Sequence, residues 1–151
     1  MITIPIVSVK LVRESNHRYN LSTKKASSPD DAVRIINAAL DLSNEAQEVF
    51  GVLYLDSQNK VTGIQEITRG ALTSSVVHPR ETFKGAILHN ACSIIVFHNH
   101  PSGEPKPSLE DIAVTKKLIK AGKLLNIPVL DHIVIGDSCF RSLRENSDLE
   151  F

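Results

Sequence analysis

The stretch Val96–Asp111, VFHNHPSGEPKPSLED, decides how the rest of the chain is read. The run CSIIVF leads straight into His98 and His100, one residue apart. Three prolines and one glycine follow, and then Ser108 stands three residues before Asp111. The apolar run has the make-up of a buried strand. Side chains on a strand repeat every two residues, so His98 and His100 point to the same side if the chain stays extended past Phe97. Pro101 fixes the backbone just beyond them, and the Pro/Gly loop turns the chain round. Ser108 and Asp111 fit a capping box at the start of a helix. Asp111 then lies on the first helical turn, at its positive end. The three side chains gather at the end of a sheet, where α/β arrangements place ligand sites.

Two imidazoles and one carboxylate make a catalytic zinc set, with three protein ligands and a fourth position for water. Zinc lowers the pKa of that water towards ~7. Because the ligands' lone pairs are committed, a separate base is needed. The same residues also have a plainer account: two histidines near a turn, and Asp111 as a helix cap and nothing more. Spacing alone leaves both open.

Working outward, Ser28 reads as an N-cap, with Pro29 first in the helix and Asp31 third. Ala32, Val33, Ile36, Ala39 and Leu40 line one face, which predicts about four turns ending near Asn44. VFGVLYLD reads as a central strand closed by the turn DSQNK, with VTGIQEIT as its antiparallel partner. HPRETFKGAILHNA predicts a helix beginning at Pro79, with Phe83, Ala86 and Ile87 facing inward. Ile112, Thr115, Ile119 and Gly122 predict a helix to about Lys123, and IPVLDHIVIGD is a further strand and turn. Ile2, Ile4, Ile6, Val9 and Leu11 alternate roughly, which predicts a strand over 2–13, at an edge because of Pro5. Such an edge could pair with a second copy, giving a homodimer. RENSDLEF reads as frayed or partner-dependent. Alternating strands and helices indicate an α/β fold, a central sheet flanked by helices, in one domain spanning 1–151.

Composition sets outer limits. Lys plus Arg and Asp plus Glu both number 17, so the formal net charge is zero and no dominant nucleic-acid footprint is indicated. The run KKLIKAGK reads as a solvated helix face. Cys92 and Cys139 have no zinc-finger or redox spacing, which favours a reducing cytoplasmic setting. The N-terminus lacks a basic region followed by an apolar one, so it is not a signal peptide. No apolar run is long enough to span a membrane.

The string His98-x-His100-Pro101, six residues, Ser108-x-x-Asp111 matches the JAMM motif of the JAB/MPN metalloenzymes without a gap. SSVVHPRETFKGAILHNA, HNHPSGEPKPSLED and IPVLDHIVIGD resemble the RadC branch, and EVFGVLYLDSQNKVTG extends the similarity upstream, so that it covers about residues 30–145. The resemblance implies a central mixed sheet of JAB/MPN, cytidine-deaminase-like architecture. It implies one Zn2+ per chain, held by His98, His100 and Asp111. It implies Glu48 as general base, because Glu48-Val49-Phe50-Gly51 matches the family's Glu-x-x-Gly context. Glu45 is the rival, without the glycine context. Ser108 is implied as an oxyanion donor, a role that competes with capping.

The implied activity is metal-assisted hydrolysis of a peptide or isopeptide bond in an unknown protein or peptide substrate. RadC-like chains resemble a two-part plan with a helix-hairpin-helix region first. The roughly 30 residues before the first helix here are too few for it. Two further readings stand beside the hydrolase. One is a DNA-repair-associated protein or nuclease accessory. The other is a catalytically silent interaction module. A zinc deaminase is set aside because its H-x-E and P-C-x-x-C signature is missing.

Other residues carry weaker expectations. Alternation turns one of Asp131 and His132 inward, either as a core residue or behind the metal ligands. Asn99 points away from its histidine neighbours and holds the loop. Gly103 supplies a special backbone angle. His78 caps a helix, and Arg80 binds an anionic group near the site. His17 and His89 read as surface residues, Cys92 as a small buried hydrophobe, and Cys139 as part of a turn.

Overall fold

The computed structural model describes residues 1–70, 72 and 76–151. Ser74 and Ser75, which open the family-like stretch SSVVHPRE, lie outside the described residues. Five strands form one sheet: β1 (Val49–Leu55), β2 (Val61–Arg69), β3 (Ser93–Asn99), β4 (Val129–Ile135) and β5 (Phe140–Ser142). Their order is β2-β1-β3-β4-β5. The β3–β4 pair is parallel and the other neighbours are antiparallel, so the sheet is mixed. Parallel neighbours need a long crossover, and helix α3 (Leu109–Leu125) supplies it.

The sheet is covered on both faces. Helix α1 (Pro29–Leu40) packs Ala32 and Ile36 among Leu53, Ile95, Phe97 and Ile133. On the other face, helices α2 (Pro79–Leu88) and α3 bring Phe83, Ala86 and Leu118 against Val52, Tyr54, Ile94 and Val96. A strand buried on both faces needs apolar residues throughout rather than in alternation. This is why β1 and β3 read as continuous runs, and every residue of both is buried.

Local chemistry sets the helix ends. Ser28 accepts the Asp31 N–H at the start of α1, with Pro29 first in the helix. Such a cap stabilises a helix by about 1 kcal/mol. Ser108 and Asp111 form a complete capping box at the start of α3. His78 occupies the N-cap position of α2, but its side chain makes no capping bond, so that expectation is corrected. Gly103 has φ +85°, in the left-handed region that favours glycine, as the sequence predicts.

Several other expectations change. Residues 2–13 are not a strand. Ile2, Ile4 and Ile6 are 92, 80 and 101 % exposed. Alternation provides an apolar face, but a strand also needs a ladder partner, and upstream of β1 the one β-bridge among the described residues is an isolated pair, Lys25 with Lys60, just before β2. Helix α1 stops at Leu40, because Asp41 turns left-handed (φ 46°) into a short 3-10 turn, Leu42–Asn44. Ile87 is 55 % exposed, and Thr82 and Gly85 join Phe83 and Ala86 on the buried face of α2. Cys92 is exposed. His89 is half-buried and stacks on Tyr54 at 4.4 Å. The C-terminal region builds β5 and a short helix, α4 (Leu143–Asn146), with Leu143 fully buried and Phe151 resting on the core.

Asp131 lies on the α1 face and ties these last elements to β4. It accepts from the Ser142 hydroxyl at 2.7 Å and from the backbone N–H groups of Arg144 at 3.1 Å and His132 at 2.7 Å. Burial pushes its carboxyl up, against the pull of those three donors.

Gly122 lets α3 lie close against the chain that leaves it and against Phe83 of α2. A Cβ there would lie 2.6 Å from the Ile127 carbonyl oxygen and 3.2 Å from the Phe83 ring. The first neighbour is backbone and cannot step aside cheaply. Gly122→Ala is expected to destabilise the fold by about 1–3 kcal/mol through overpacking, measured by urea unfolding. A variant as stable as the native chain would show that α3 can shift freely.

Candidate metal centre

The alternation of β3 continues one residue past its last ladder position, because the His100 N–H donates to the Ile135 carbonyl at 2.8 Å. His98 and His100 therefore share the α3 face. Their Nε2 atoms lie 2.9 Å apart. The Asp111 carboxylate completes the group, with Oδ1 3.2 Å from His98 Nε2 and Oδ2 3.3 Å from His100 Nε2. Glu48 comes from the segment just before β1, with Oε1 4.0 Å from His98 Nε2. Ligand atoms of Glu48, His98, His100 and Asp111 all lie within 4.8 Å of one another, and the group could hold a metal ion.

Each side chain is held from behind. Asp111 Oδ2 accepts the Ser108 N–H at 2.6 Å, so one carboxylate both caps α3 and faces the imidazoles. Its capping role and its place in the cluster are not alternatives. Burial opposes ionisation of Asp111, but contacts from His98 and Ser108 outweigh it and hold the carboxyl well below the usual range. His100 Nδ1 lies 2.8 Å from the Glu104 carbonyl. A carbonyl only accepts, so Nδ1 carries the hydrogen and the neutral ring presents a lone pair at Nε2.

His98 Nδ1 lies 2.8 Å from His132 Nε2, and His132 Nδ1 lies 2.6 Å from the Thr115 hydroxyl. All three residues are fully buried. Burial also disfavours the charged form of His132 and pushes it well below its ordinary pKa.

Asn99 points to the opposite face. Its Oδ1 accepts the Val49 N–H at 2.7 Å, and its Nδ2 donates to the carbonyls of Gln47 at 3.0 Å and Glu45 at 3.4 Å. These bonds clamp residues 45–49 beside β3 and so set the position of Glu48. The Glu48 Oε2 atom accepts the Leu72 N–H at 3.0 Å, leaving Oε1 on the side of His98. The rival Glu45 is bound elsewhere, 2.8 Å from an Arg69 nitrogen. That contact outweighs desolvation and holds the Glu45 carboxyl below its ordinary range.

Two expected neighbours are not brought to the cluster. Arg80 is 76 % exposed, with Nε 3.5 Å from Glu81, because it follows Pro79 on the outer side of α2. Asp131 has the opposite strand parity to His132 and bonds to Ser142 and Arg144 instead. Sequence reasoning missed Thr115, read only as one position on a buried helical face. A hydroxyl residue four positions after Asp111 on that face was the available signal. It also missed the Glu104 carbonyl, which no side-chain pattern encodes. A cavity of about 330 Å3 adjoins His100, between the 3-10 turn and the Pro101–Gly103 loop.

The donor set fits zinc: two imidazole nitrogens and a carboxylate oxygen, each oriented by an outward hydrogen bond. Among the described residues, no helix is long and apolar enough to cross a membrane.

The model of the RadC-like JAB domain matches residues 26–148 of the chain. A UPF0758 protein of Shouchella clausii is 44% identical over 138 residues, covering 91% of this chain and 59% of that protein. A UPF0758 protein of Caldanaerobacter subterraneus is 43% identical over 149 residues, covering 96% and 63%. One of Bacillus cereus is 46% identical over 141 residues, covering 93% and 60%. The chain thus spans about three-fifths of the length of these curated relatives. The mixed sheet flanked by helices, the cluster of two histidines, an aspartate and a glutamate, and the match over most of the sequence agree: the chain belongs to the RadC-like JAB domain family.

Proposed function

We propose that the chain is a zinc-dependent hydrolase of the JAMM metallopeptidase type, acting on a peptide or isopeptide carbonyl. The observation that supports it most is the convergence of His98 Nε2, His100 Nε2 and the Asp111 carboxylate within 3.3 Å. Electron-rich atoms that close need a shared hydrogen or a cation between them, and one cation among the three would serve every pair at once. His98, His100 and Asp111 would hold one Zn2+, and a bound zinc supplies an activated water and polarises a carbonyl.

The remaining work falls to the chain's own groups. Glu48 is partly exposed and has one carboxylate oxygen fixed by the Leu72 N–H. Its Oε1, on the side of His98, would take a proton from the attacking water and return it to the leaving amine. Ser108 serves as a donor to the developing oxyanion. The Asp111 N–H uses a lone pair of the Ser108 oxygen, 3.1 Å away, and does not consume the hydroxyl hydrogen. Capping and donation are therefore compatible. Asn99 keeps Glu48 in reach through the clamp on residues 45–49.

Zinc content is the first test. The native protein is expected to carry about one zinc per chain, and His98→Ala to lose it, as read by elemental analysis of protein purified without chelator or a metal-binding tag. No uptake even with zinc supplied would sink the hydrolase reading. Glu48→Gln is expected to keep its zinc while peptide or isopeptide hydrolysis falls by roughly 10²–10⁴-fold. Zinc-loaded native protein that cleaves no peptide or isopeptide would instead support a silent interaction module. Asn99→Ala is expected to retain zinc and to lower turnover by up to ~100-fold, because Glu48 is no longer held in place. Unchanged turnover would remove Asn99 from the account.

A further inference from the structure

We propose that Thr115 is a positioning residue which, acting through His132, keeps the Nε2 lone pair of His98 directed at the candidate centre. The inference rests on the metal reading above and assigns a residue that the ligand motif does not contain.

The argument is a count of hydrogens. The Thr115 hydroxyl has one hydrogen and two close contacts, 2.6 Å to the Asp111 carbonyl oxygen and 2.6 Å to His132 Nδ1. The carbonyl can only accept, so it takes the hydroxyl hydrogen. The hydroxyl oxygen must then accept from His132, which places the His132 hydrogen on Nδ1. His132 Nε2 is left with a lone pair, 2.8 Å from His98 Nδ1. Two lone pairs at that distance would repel, so His98 Nδ1 carries its hydrogen. In the neutral His98 ring, Nε2 is then bare and faces His100 and Asp111. The opposite assignment would set a hydrogen on His98 Nε2, where a metal ligand needs a lone pair.

The geometry is confined. Thr115, His132 and His98 are all fully buried, so water does not offer substitute partners. The relay crosses from α3 through β4 to β3, and it ends on the main chain of Asp111, itself a member of the cluster. Phe50 meets the His132 ring edge-on at 6.0 Å.

The test uses the full chain with ring nitrogens observed by long-range proton–nitrogen NMR after chelator treatment, and zinc affinity by competition. The His132 signals are expected to show a hydrogen on Nδ1 and a bare Nε2. Thr115→Val keeps the side-chain shape but removes both roles of the hydroxyl. It is expected to move the His132 hydrogen to Nε2 and to weaken zinc binding by roughly 10–100-fold, the usual cost of losing an outer partner of a metal ligand. Thr115→Ser should restore both readouts. If Thr115→Val does not fold, the native His132 spectrum decides alone: a hydrogen on Nε2 overturns the relay. Zinc affinity unchanged in folded Thr115→Val also overturns it, with the hydrolase reading intact. Failure of the native protein to take up zinc overturns the hydrolase reading, whatever the His132 ring shows.

Discussion

At the end of β3, the two-residue repeat of an extended chain sends His98 and His100 to one face and Asn99 to the other. The candidate site is built around that parity. On one side, the two imidazoles meet the first turn of α3. On the other, Asn99 reaches the segment that carries Glu48. A slip of one residue in the register of β3 would exchange the faces and put an amide where two ligands stand. The parallel pairing with β4 and the antiparallel pairing with β1 fix that register from both sides.

The fold around this strand serves the same end. Two-sided burial makes β1 and β3 apolar throughout, until the last residues of β3 turn polar. The polar residues there are not a loop that strayed inward. Each has a partner: His98 on His132, His100 on Glu104, and Asn99 on three backbone groups. Leaving any one of them buried and unbonded would cost about 1–3 kcal/mol. A site of this kind has to be satisfied as a whole.

Much of this was legible in the chain. The strands β1 to β4 and the three longer helices follow from apolar runs, capping residues and Pro/Gly turns, and His98, His100 and Asp111 announce themselves by spacing and motif. What escaped did so for physical reasons. A three-residue strand such as Phe140–Ser142 is too short for a period to show. The stretch 2–13 had a strand's alternation, but pairing is a property of two segments and cannot be read from one. The glycine context favoured Glu48 over Glu45, but the contacts that hold the two apart, to Arg69 and Asn99, join residues distant in sequence and could not be read from it. Thr115 looked like an ordinary helical core position, because nothing local reveals that its hydroxyl meets an imidazole from β4.

The capping box of α3 carries one more implication. Helix ends ordinarily fray, since their first amides lack partners within the helix. Here the carboxylate that secures the Ser108 amide also stands against two imidazoles, and the Ser108 hydroxyl secures the Asp111 amide in return. Opening the first turn of α3 therefore means dismantling the cluster, and ordering the cluster stiffens the turn. The solvent-exchange rate of those two amides becomes a built-in gauge of the site's integrity, one that can be followed without any substrate.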